Sequence, residues 1–393
     1  MNFSDRTRWE NHPNLLTRTF ADLLSAGERI LNLTESNPTH CGFRYLSPDL
    51  LKPFADAGNL LYEPDPHGLL PAREAVAGYY QQKGISVAPG DLFLTASTSE
   101  AYGFLFRLLA NAGDAVLAPQ PSYPLLDYLG ALNDVSIGRY RITFEKEKWK
   151  TGFSRFDEGP AKNRALVLVH PNNPTGNFIK EEERREINRR ALSRQWALIV
   201  DEVFADFALG QIPEAVPSFA SNQDVLTFTL GGISKILGLP QMKLSWIAVS
   251  GPQDLKQEAI SRLEVIADTY LSANTPVQRA MPQWFAAQPA IRQEIKARLV
   301  ANYGYLQQKI SGQEKIKLLP TEGGWYAVLE LPESSDDETY AVELLKRQKV
   351  FVHPGYFFDF PEGTFLVISL LPQENDFREG VDRIRCHSEG PGH

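Results

Sequence analysis

The chain has 393 residues, of which 43% are hydrophobic and 22% are charged, and its 40 Lys and Arg against 48 Asp and Glu give a net charge of −8. Such a length predicts about two domains, since a single hydrophobic core stops growing beyond roughly 250–300 residues. We do not expect an acidic chain of this composition to bind nucleic acid or an anionic membrane through its bulk charge.

The N-terminal segment and the two cysteines indicate a cytoplasmic protein. The opening residues 1–6 carry charge and lack the apolar run of a signal peptide. Cys41 and Cys386 form neither a zinc pattern nor a disulfide framework, which favours a reducing compartment. No stretch reaches the roughly 18 consecutive apolar residues that cross a bilayer. We therefore expect a cytoplasmic location.

Between residues 91 and 250, short apolar runs alternate with longer amphipathic segments. This alternation predicts a parallel or mixed sheet with helices on both faces. The predicted strands are Asp91–Thr95, Ala115–Ala118, Ala165–His170, Ala197–Val200, Val225–Leu230 and Leu244–Val249, and the predicted helices are Glu100–Ala112, Tyr123–Leu132 and Lys180–Gln195.

After about residue 252 the pattern changes to two long helices followed by a mixture of short strands and helices. The long helices are predicted at Pro252–Gln288 and Pro289–Ser311. The first 45 residues are rich in loops and have no strand–helix repeat. We therefore expect a large domain over residues 46–275 and a small α+β domain formed by residues 1–45 and 276–393. The short elements of the tail are predicted as strands at Tyr326–Leu331, Val350–Val352 and Phe365–Leu370 and as helices at Thr339–Gln348 and Phe377–Arg385.

The common motifs for nucleotide binding, serine hydrolysis and zinc hydrolysis are missing. There is no G-x-G-x-x-G after a strand, no G-x-x-x-x-G-K-[ST], no G-x-S-x-G and no H-E-x-x-H. The seven histidines are scattered without metal-ligand spacing, so we expect no metal site.

Polar residues occur instead where predicted strands end, which is where open α/β sheets bind ligands. The segment Thr95–Glu100 lies at a strand-to-helix junction, where backbone N–H groups and hydroxyls can bind an anion, or where a hydroxyl simply caps the helix. Asn173 lies in a turn rich in proline and glycine that is also good structural turn chemistry. Asp201 closes an apolar strand and needs a cation or a donor nearby. Lys235 is either an exposed lysine or a buried amine suited to Schiff-base chemistry.

In this order, the segments resemble the fold-type I enzymes that use pyridoxal 5′-phosphate (PLP), specifically class I/II aminotransferases of the aspartate aminotransferase family. The similarity runs from Glu35-Ser36-Asn37-Pro38-Thr39 to about Arg385 and includes Asn-Asn-Pro-Thr-Gly, Asp-Glu-Val-Phe and Ser-Lys. Each motif is weak alone, whereas the ordered set is specific. The resemblance implies an aspartate aminotransferase-like α/β fold, with a mostly parallel seven-stranded sheet flanked by helices in the large domain.

The resemblance also implies a role for each matching residue. Lys235 would bond covalently to PLP and later move a proton between the substrate Cα and the cofactor. Asp201 would pair with the protonated ring nitrogen, Asn173 would bind the 3-oxygen of the ring, and Tyr123 would stack on the ring face. The phosphate would contact Ser97, Thr98, Ser99 and Lys243. Tyr62 would reach the same phosphate from the second subunit of a homodimer. Asn37 and Arg44 would contact the substrate.

Four positions depart from the family pattern. Phe204 replaces a tyrosine that donates to the ring 3-oxygen, Gly232 replaces a phosphate-binding serine, and Lys243 replaces an arginine. Val367 stands where the family has the arginine that pairs with the substrate carboxylate. Arg44 is a candidate substitute, although a surface arginine is the slightly favoured interpretation.

We expect an aminotransferase that exchanges an amino group between an amino acid, or an amine, and a 2-oxo acid by a ping-pong mechanism. A PLP-dependent β-elimination (C–S) lyase or a related synthase on the same fold is the alternative, because fold alone does not separate these reactions. A non-catalytic PLP-binding regulator ranks lowest.

Overall fold

The strands divide between two main sheets in the computed structural model, which describes residues 2–9, 12–157, 162–332 and 336–389. The helices are α1 (Leu15–Ser25), α2 (Leu70–Gln82), α3 (Thr98–Leu109), α4 (Leu125–Leu132), α5 (Glu181–Arg194), α6 (Ile233–Ile236), α7 (Gln253–Tyr270), α8 (Thr275–Ile310), α9 (Asp337–Gln348) and α10 (Glu374–Glu389). The strands are β1 (Leu31–Asn32), β2 (Leu92–Thr95), β3 (Ala115–Gln120), β4 (Ser136–Glu145), β5 (Lys148–Thr151), β6 (Asn163–Val169), β7 (Ala197–Asp201), β8 (Thr227–Gly232), β9 (Ser245–Ser250), β10 (Lys317–Leu319), β11 (Tyr326–Leu331), β12 (Val350–Phe351), β13 (His353–Pro354) and β14 (Thr364–Ser369).

The large sheet has the strand order β2-β9-β8-β7-β6-β3-β4-β5 and confirms the predicted mostly parallel architecture. The neighbours from β8 to β4 pair in parallel, whereas β9 is antiparallel to both β2 and β8. The edge strand β5 is an eighth strand beyond the seven that were expected, and it forms a hairpin with β4. Lys146 and Glu147 both have positive φ in this two-residue loop, as in a type I′ turn, and lack the Asn-Gly signal that would have predicted it.

Both faces of the large sheet are buried, which explains why its strands are apolar without alternation. In β6, Val167 packs into the cluster that contains Phe104 of α3 and Leu263 of α7. Its neighbour Leu166 packs into the cluster on the opposite face, which contains Ile187 of α5. Helices therefore cover both faces, as the alternation of strands and helices predicted.

The boundary between the two long helices differs from the prediction, which placed it at Gln288 and Pro289. Instead α7 ends at Tyr270 and is followed by Leu271, which adopts a left-handed backbone conformation, and the Asn274 side chain accepts a hydrogen bond from the Val277 N–H to begin α8. Pro289 lies inside α8. The predicted boundary was therefore wrong, because the N-cap Asn274 begins α8 and Pro289 does not interrupt it.

The second main sheet is antiparallel, in the order β10-β11-β14-β13. The N-terminal segment, predicted to be mostly loop, contributes α1 and the short strand β1, which pairs with β12. All strands of the large sheet fall within residues 46–275, and the rest fall outside. The exact domain limits stay a prediction.

Within the described part of the chain, no helix combines the length and the apolar character needed to span a bilayer.

Candidate active site

The carboxyl ends of β6, β7 and β8 lie side by side and bring the predicted polar residues to one edge of the large sheet. Asp201 pairs in register with Val169 of β6 and with Leu230 of β8. The backbone N–H of His170 donates to the Asp201 carbonyl oxygen at 2.8 Å. Because parallel strands end together at this edge, the turn after β6, the end of β7 and helix α6 after β8 converge there.

Lys235 lies in α6, with its amine in an aromatic environment. Its Nζ is 4.7 Å from the centroid of the Trp325 ring and 5.4 Å from that of Phe204. Burial lowers the pKa of Lys235 to about 8, and the charge of Asp201 partly opposes this shift. The neutral amine, which is the nucleophilic form, is therefore accessible near neutral pH.

Asp201 is a desolvated carboxylate in the same neighbourhood. Burial raises the pKa of Asp201 to about 6, against the hydrogen bonds it accepts and the charge of Lys235. Its Oδ1 accepts from the Val203 N–H at 3.1 Å, and its Oδ2 accepts from the Tyr102 hydroxyl at 3.3 Å. The carboxylate is thus held in place, and among the described residues no ion pair to it is found.

The turn that carries Asn173 packs tightly against the loop before β11. Gly176 has a φ of +74°, and a Cβ built there would lie 1.7 Å from the Thr321 Oγ1, so this close approach requires glycine. The Nδ2 of Asn172 donates to the Thr175 Oγ1 at 2.8 Å. The Oδ1 of Asn173 is buried and has no hydrogen-bond partner among the described residues.

The predicted anion site forms the start of α3. Ser97 caps this helix, because its Oγ accepts from the Glu100 N–H at 3.1 Å, and it still has its own hydroxyl hydrogen to donate. Thr98 and Ser99 are half-buried in the first turn. Lys243 is exposed and lies two residues before Ser245, which pairs with both Thr95 and Gly232. These residues therefore gather at one end of the candidate site.

The opposite end is formed by residues of the N-terminal segment and of β11. Burial raises the pKa of Tyr326 to about 12, while interaction with the Ser36 side chain lowers it and nearby Tyr123 adds a smaller increase. Asn37 is next to Ser36, and its Oδ1 accepts from the Thr39 N–H and Oγ1. Tyr123 is half-exposed. Asn37, next to Ser36, and Tyr123 are therefore near Tyr326, and their predicted roles stay predictions.

Two predicted residues do not join this group within the chain. The Tyr62 side chain is 77% exposed, in a run with exposed Leu60 and Leu61. The Arg44 side chain is 94% exposed, and its Nε lies 3.9 Å from a carboxylate oxygen of Glu294 on α8. This placement gives no support to a substrate contact for Arg44, whereas exposure of Tyr62 is compatible with a contact to a second subunit.

Sequence reasoning missed Tyr102 as a partner of Asp201 and gave Trp325 no role in the site. Tyr102 follows Thr98 by one helical turn, so the i, i+4 spacing on α3 was the available signal. For Trp325 there was no local signal. Phe204 and Val367 bring no polar group to the site: Phe204 packs against Trp325, and Val367 is fully buried in β14.

Comparison with known proteins gives consistent matches over nearly the whole chain. The family model described as aminotransferase class I and II matches residues 28–384. The glutamate–pyruvate aminotransferase AlaA of Haemophilus influenzae is 27% identical over 370 residues, which is 91% of this chain and 90% of that protein. The alanine aminotransferase of Mycobacterium tuberculosis is 26% identical over 385 residues, covering 93% and 86%.

Solved structures show the same fold at lower identity. Alanine aminotransferase from Pyrococcus furiosus superposes with a TM-score of 0.88 at 21% identity and covers 99% of this chain and 100% of its own. Aspartate aminotransferase from Thermotoga maritima gives a TM-score of 0.82 at 20% identity, with the same two coverages. The aspartate aminotransferase-like fold implied by the motifs is thereby confirmed.

Proposed function

We propose the following roles from the premise that this chain belongs to the class I and II aminotransferase family and is a PLP-dependent aminotransferase. Lys235 is the amine that binds the cofactor and transfers the proton. The observation that carries this proposal is the desolvated Lys235 amine, whose pKa is lowered to about 8, at the edge that also holds Asp201 and Asn173.

The residues present fit PLP in chemical terms. Asn173 has a buried, unpartnered amide oxygen among the described residues, as expected next to a polar ligand. Ser97, Thr98 and Ser99 at the start of α3, with Lys243, suit a phosphate dianion. Asp201 suits a protonated ring nitrogen, because a positive charge there would compensate its buried carboxylate. Tyr123 is proposed to cover the ring face.

When bound, PLP withdraws electron density from the Cα of an amino acid. Lys235 is proposed to take the proton from Cα, because an amine with a pKa of about 8 is well matched to proton transfer near neutral pH. Tyr102 and the Val203 N–H hold the Asp201 carboxylate in position, so that Asp201 keeps the ring nitrogen protonated. Asn37 is proposed to orient the substrate from the N-terminal segment.

Transamination is favoured over β-elimination, because the family and the relatives are named for aminotransferases. These names also suggest a first substrate pair. We propose that the donor is a small neutral amino acid such as L-alanine and that the acceptor is a 2-oxo acid.

The PLP-loaded protein, mixed with L-alanine and no acceptor, is expected to lose its visible cofactor absorbance and release one pyruvate per site without ammonia. Adding 2-oxoglutarate should restore the absorbance and yield glutamate. L-Glutamate, L-aspartate and L-tyrosine tested in parallel define the donor range. Continuous release of pyruvate and ammonia would contradict transamination and support the lyase.

We further propose a homodimer in which Tyr62 reaches the active site of the other subunit. The consecutive side chains Leu60, Leu61 and Tyr62 are 89%, 61% and 77% exposed. Exposed apolar side chains grouped in this way mark an interaction surface. The cytoplasmic location predicted above is retained as part of this proposal.

Mixing two defective variants tests the shared site. Tyr62→Ala and Lys235→Ala subunits are each expected to be poorly active at limiting PLP. Hybrid dimers contain one site with both defects and one with neither, so random mixing should restore about a quarter of the wild-type activity. Differently tagged subunits verify that hybrids form. Hybrids that regain no activity, or a monomeric wild type, would contradict the proposal.

A further inference from the structure

Three residues that line one small cavity of the candidate site each carry a buried polar atom without a hydrogen-bond partner within the described ranges. The atoms are Oδ1 of Asn172, Oδ1 of Asn173 and Nε1 of Trp325, each unpartnered within the described ranges. All three residues line the same cavity, together with Phe204 and the Gly323–Gly324 loop. Buried polar groups in native proteins are nearly always paired. The two amide oxygens need donors and the indole nitrogen needs an acceptor, so this grouping indicates a ligand that offers both kinds of polar atom.

The Trp325 indole is held rigidly by its surroundings. Its backbone oxygen accepts from the Leu370 N–H at 2.8 Å, and the preceding Gly324 N–H donates to the Phe207 oxygen at 3.0 Å. The indole makes edge-to-face contacts with Phe204 and Phe207, with centroids 5.5 and 5.2 Å apart. The side chain is fully buried. The N–H direction is therefore set before any ligand binds, which makes it an effective donor.

The chemistry of the indole restricts what the ligand atom is. An indole nitrogen donates and does not accept, so its partner is an acceptor. The Lys235 amine lies 4.7 Å from the ring centroid, and its positive charge favours an anionic acceptor. Phe204, which packs against the indole, and Val367 have no side-chain donor, so the indole N–H is available for that role.

We propose that Trp325 is a binding residue whose indole N–H donates a hydrogen bond to an anionic oxygen held beside Asn173. This inference rests on the proposed function, and two oxygens have the required chemistry: the phenolic oxygen of the PLP ring and the carboxylate of the amino acid. In either case Trp325 supplies a neutral donor where the side chains at 204 and 367 supply none.

Trp325→Phe removes the N–H and keeps an aromatic ring, and it is compared with wild type as PLP-loaded protein. Trp284→Phe is the matched control, because this buried indole donates to the Leu50 oxygen at 2.9 Å, away from the site. If the oxygen belongs to PLP, the pH midpoint of the visible cofactor absorbance should rise by about one unit. The reason is that the phenolic oxygen of PLP shares a proton with the Lys235 nitrogen and holds this proton more strongly when the indole no longer donates to it. Loss of a hydrogen bond to a charged group changes the dissociation constant of such a proton by about tenfold or more.

If the oxygen belongs to the substrate, the absorbance midpoint should stay unchanged, while KM for L-alanine should rise about ten- to a hundredfold with kcat changed much less. The proposal would be overturned if the pH midpoint of the absorbance were unchanged and KM for L-alanine stayed within twofold of wild type, as expected for Trp284→Phe. The indole N–H would then have no ligand partner. A wild-type protein that binds no PLP would instead overturn the proposed function.

A second measurement covers a Trp325→Phe variant that does not fold. In wild-type protein labelled with ¹⁵N-tryptophan, the indole proton of Trp325 should shift downfield when PLP is added to the apoprotein, or when L-alanine is added to the loaded protein. The Trp284 resonance serves as the internal reference. A Trp325 resonance that moves in neither titration would overturn the proposal.

Discussion

Replacing Lys235 with alanine is expected to lower the rate of transamination by at least about 10⁴-fold, because one residue serves both as covalent attachment point and as proton carrier. The variant should still fold, since removing a desolvated amine leaves the aromatic contacts of Trp325 with Phe204 and Phe207 in place. Borohydride reduction followed by peptide mapping should find PLP fixed to Lys235 in the wild type and to no residue in the variant.

Lys256→Ala is a suitable control, because this lysine forms an ion pair with Asp91 at 3.0 Å in another part of the large domain. Its activity should stay within a few-fold of wild type, as is usual for a residue outside the site. A Lys235→Ala variant with substantial turnover, or cofactor fixed to a different lysine, would contradict the assignment.

The lowered pKa of Lys235 also sets how fast the apoprotein takes up PLP. Only the neutral amine attacks the aldehyde, so the rate at saturating PLP should rise with pH up to about 8 and level off above it. An ordinary lysine would give a rate still rising towards about pH 10. Stopped-flow absorbance across this range distinguishes the two profiles.

Replacing Asp201 with asparagine is expected to reduce kcat by about 10³-fold, or ~4 kcal/mol, while PLP binding is weakened much less. The carboxylate acts on charge that develops during the reaction, whereas asparagine preserves its shape: its Oδ1 can still accept from the Val203 N–H, and its Nδ2 can donate to the Tyr102 hydroxyl oxygen. Because the charge of Asp201 raises the pKa of Lys235, its removal should lower that pKa further. The pH profile of PLP uptake should therefore move to lower pH.

Glu202→Gln provides a matched control one residue away. Glu202 is also a buried carboxylate, and burial raises its pKa to about 7, but its oxygens accept from the Ser218 Oγ and the Phe219 N–H, each at 2.6 Å. Its change to glutamine should leave kcat and the uptake profile nearly unaltered. Equal losses in both variants would indicate damage to the fold around β7, and an unchanged kcat in Asp201→Asn would refute a partnership with the ring nitrogen.

The sheet and most of its helices were predictable because their signals are local. The apolar run at Ala197–Val200 and the amphipathic segment at Lys180–Gln195 lie within one residue of β7 and α5. The break between α7 and α8 was misplaced, since Pro289 gave a stronger local signal than the Asn274 N-cap that begins α8. The β4–β5 hairpin was missed because its turn, Lys146–Glu147, has none of the residues that usually favour positive φ.

The sequence by itself determined the family and predicted Lys235, Asp201 and Asn173 as site residues, because the ordered motifs at strand ends carry that information in adjacent residues. Only the tertiary structure decided that Tyr102 supports Asp201, that Arg44 lies on the surface and that Trp325 joins Asn173 at one cavity. The reason is physical. Gly176 permits two loops far apart in sequence to approach closely. Burial is a property of packed surroundings: it shifts the pKa of Lys235 and leaves the Trp325 N–H without a partner among the residues that the structure describes.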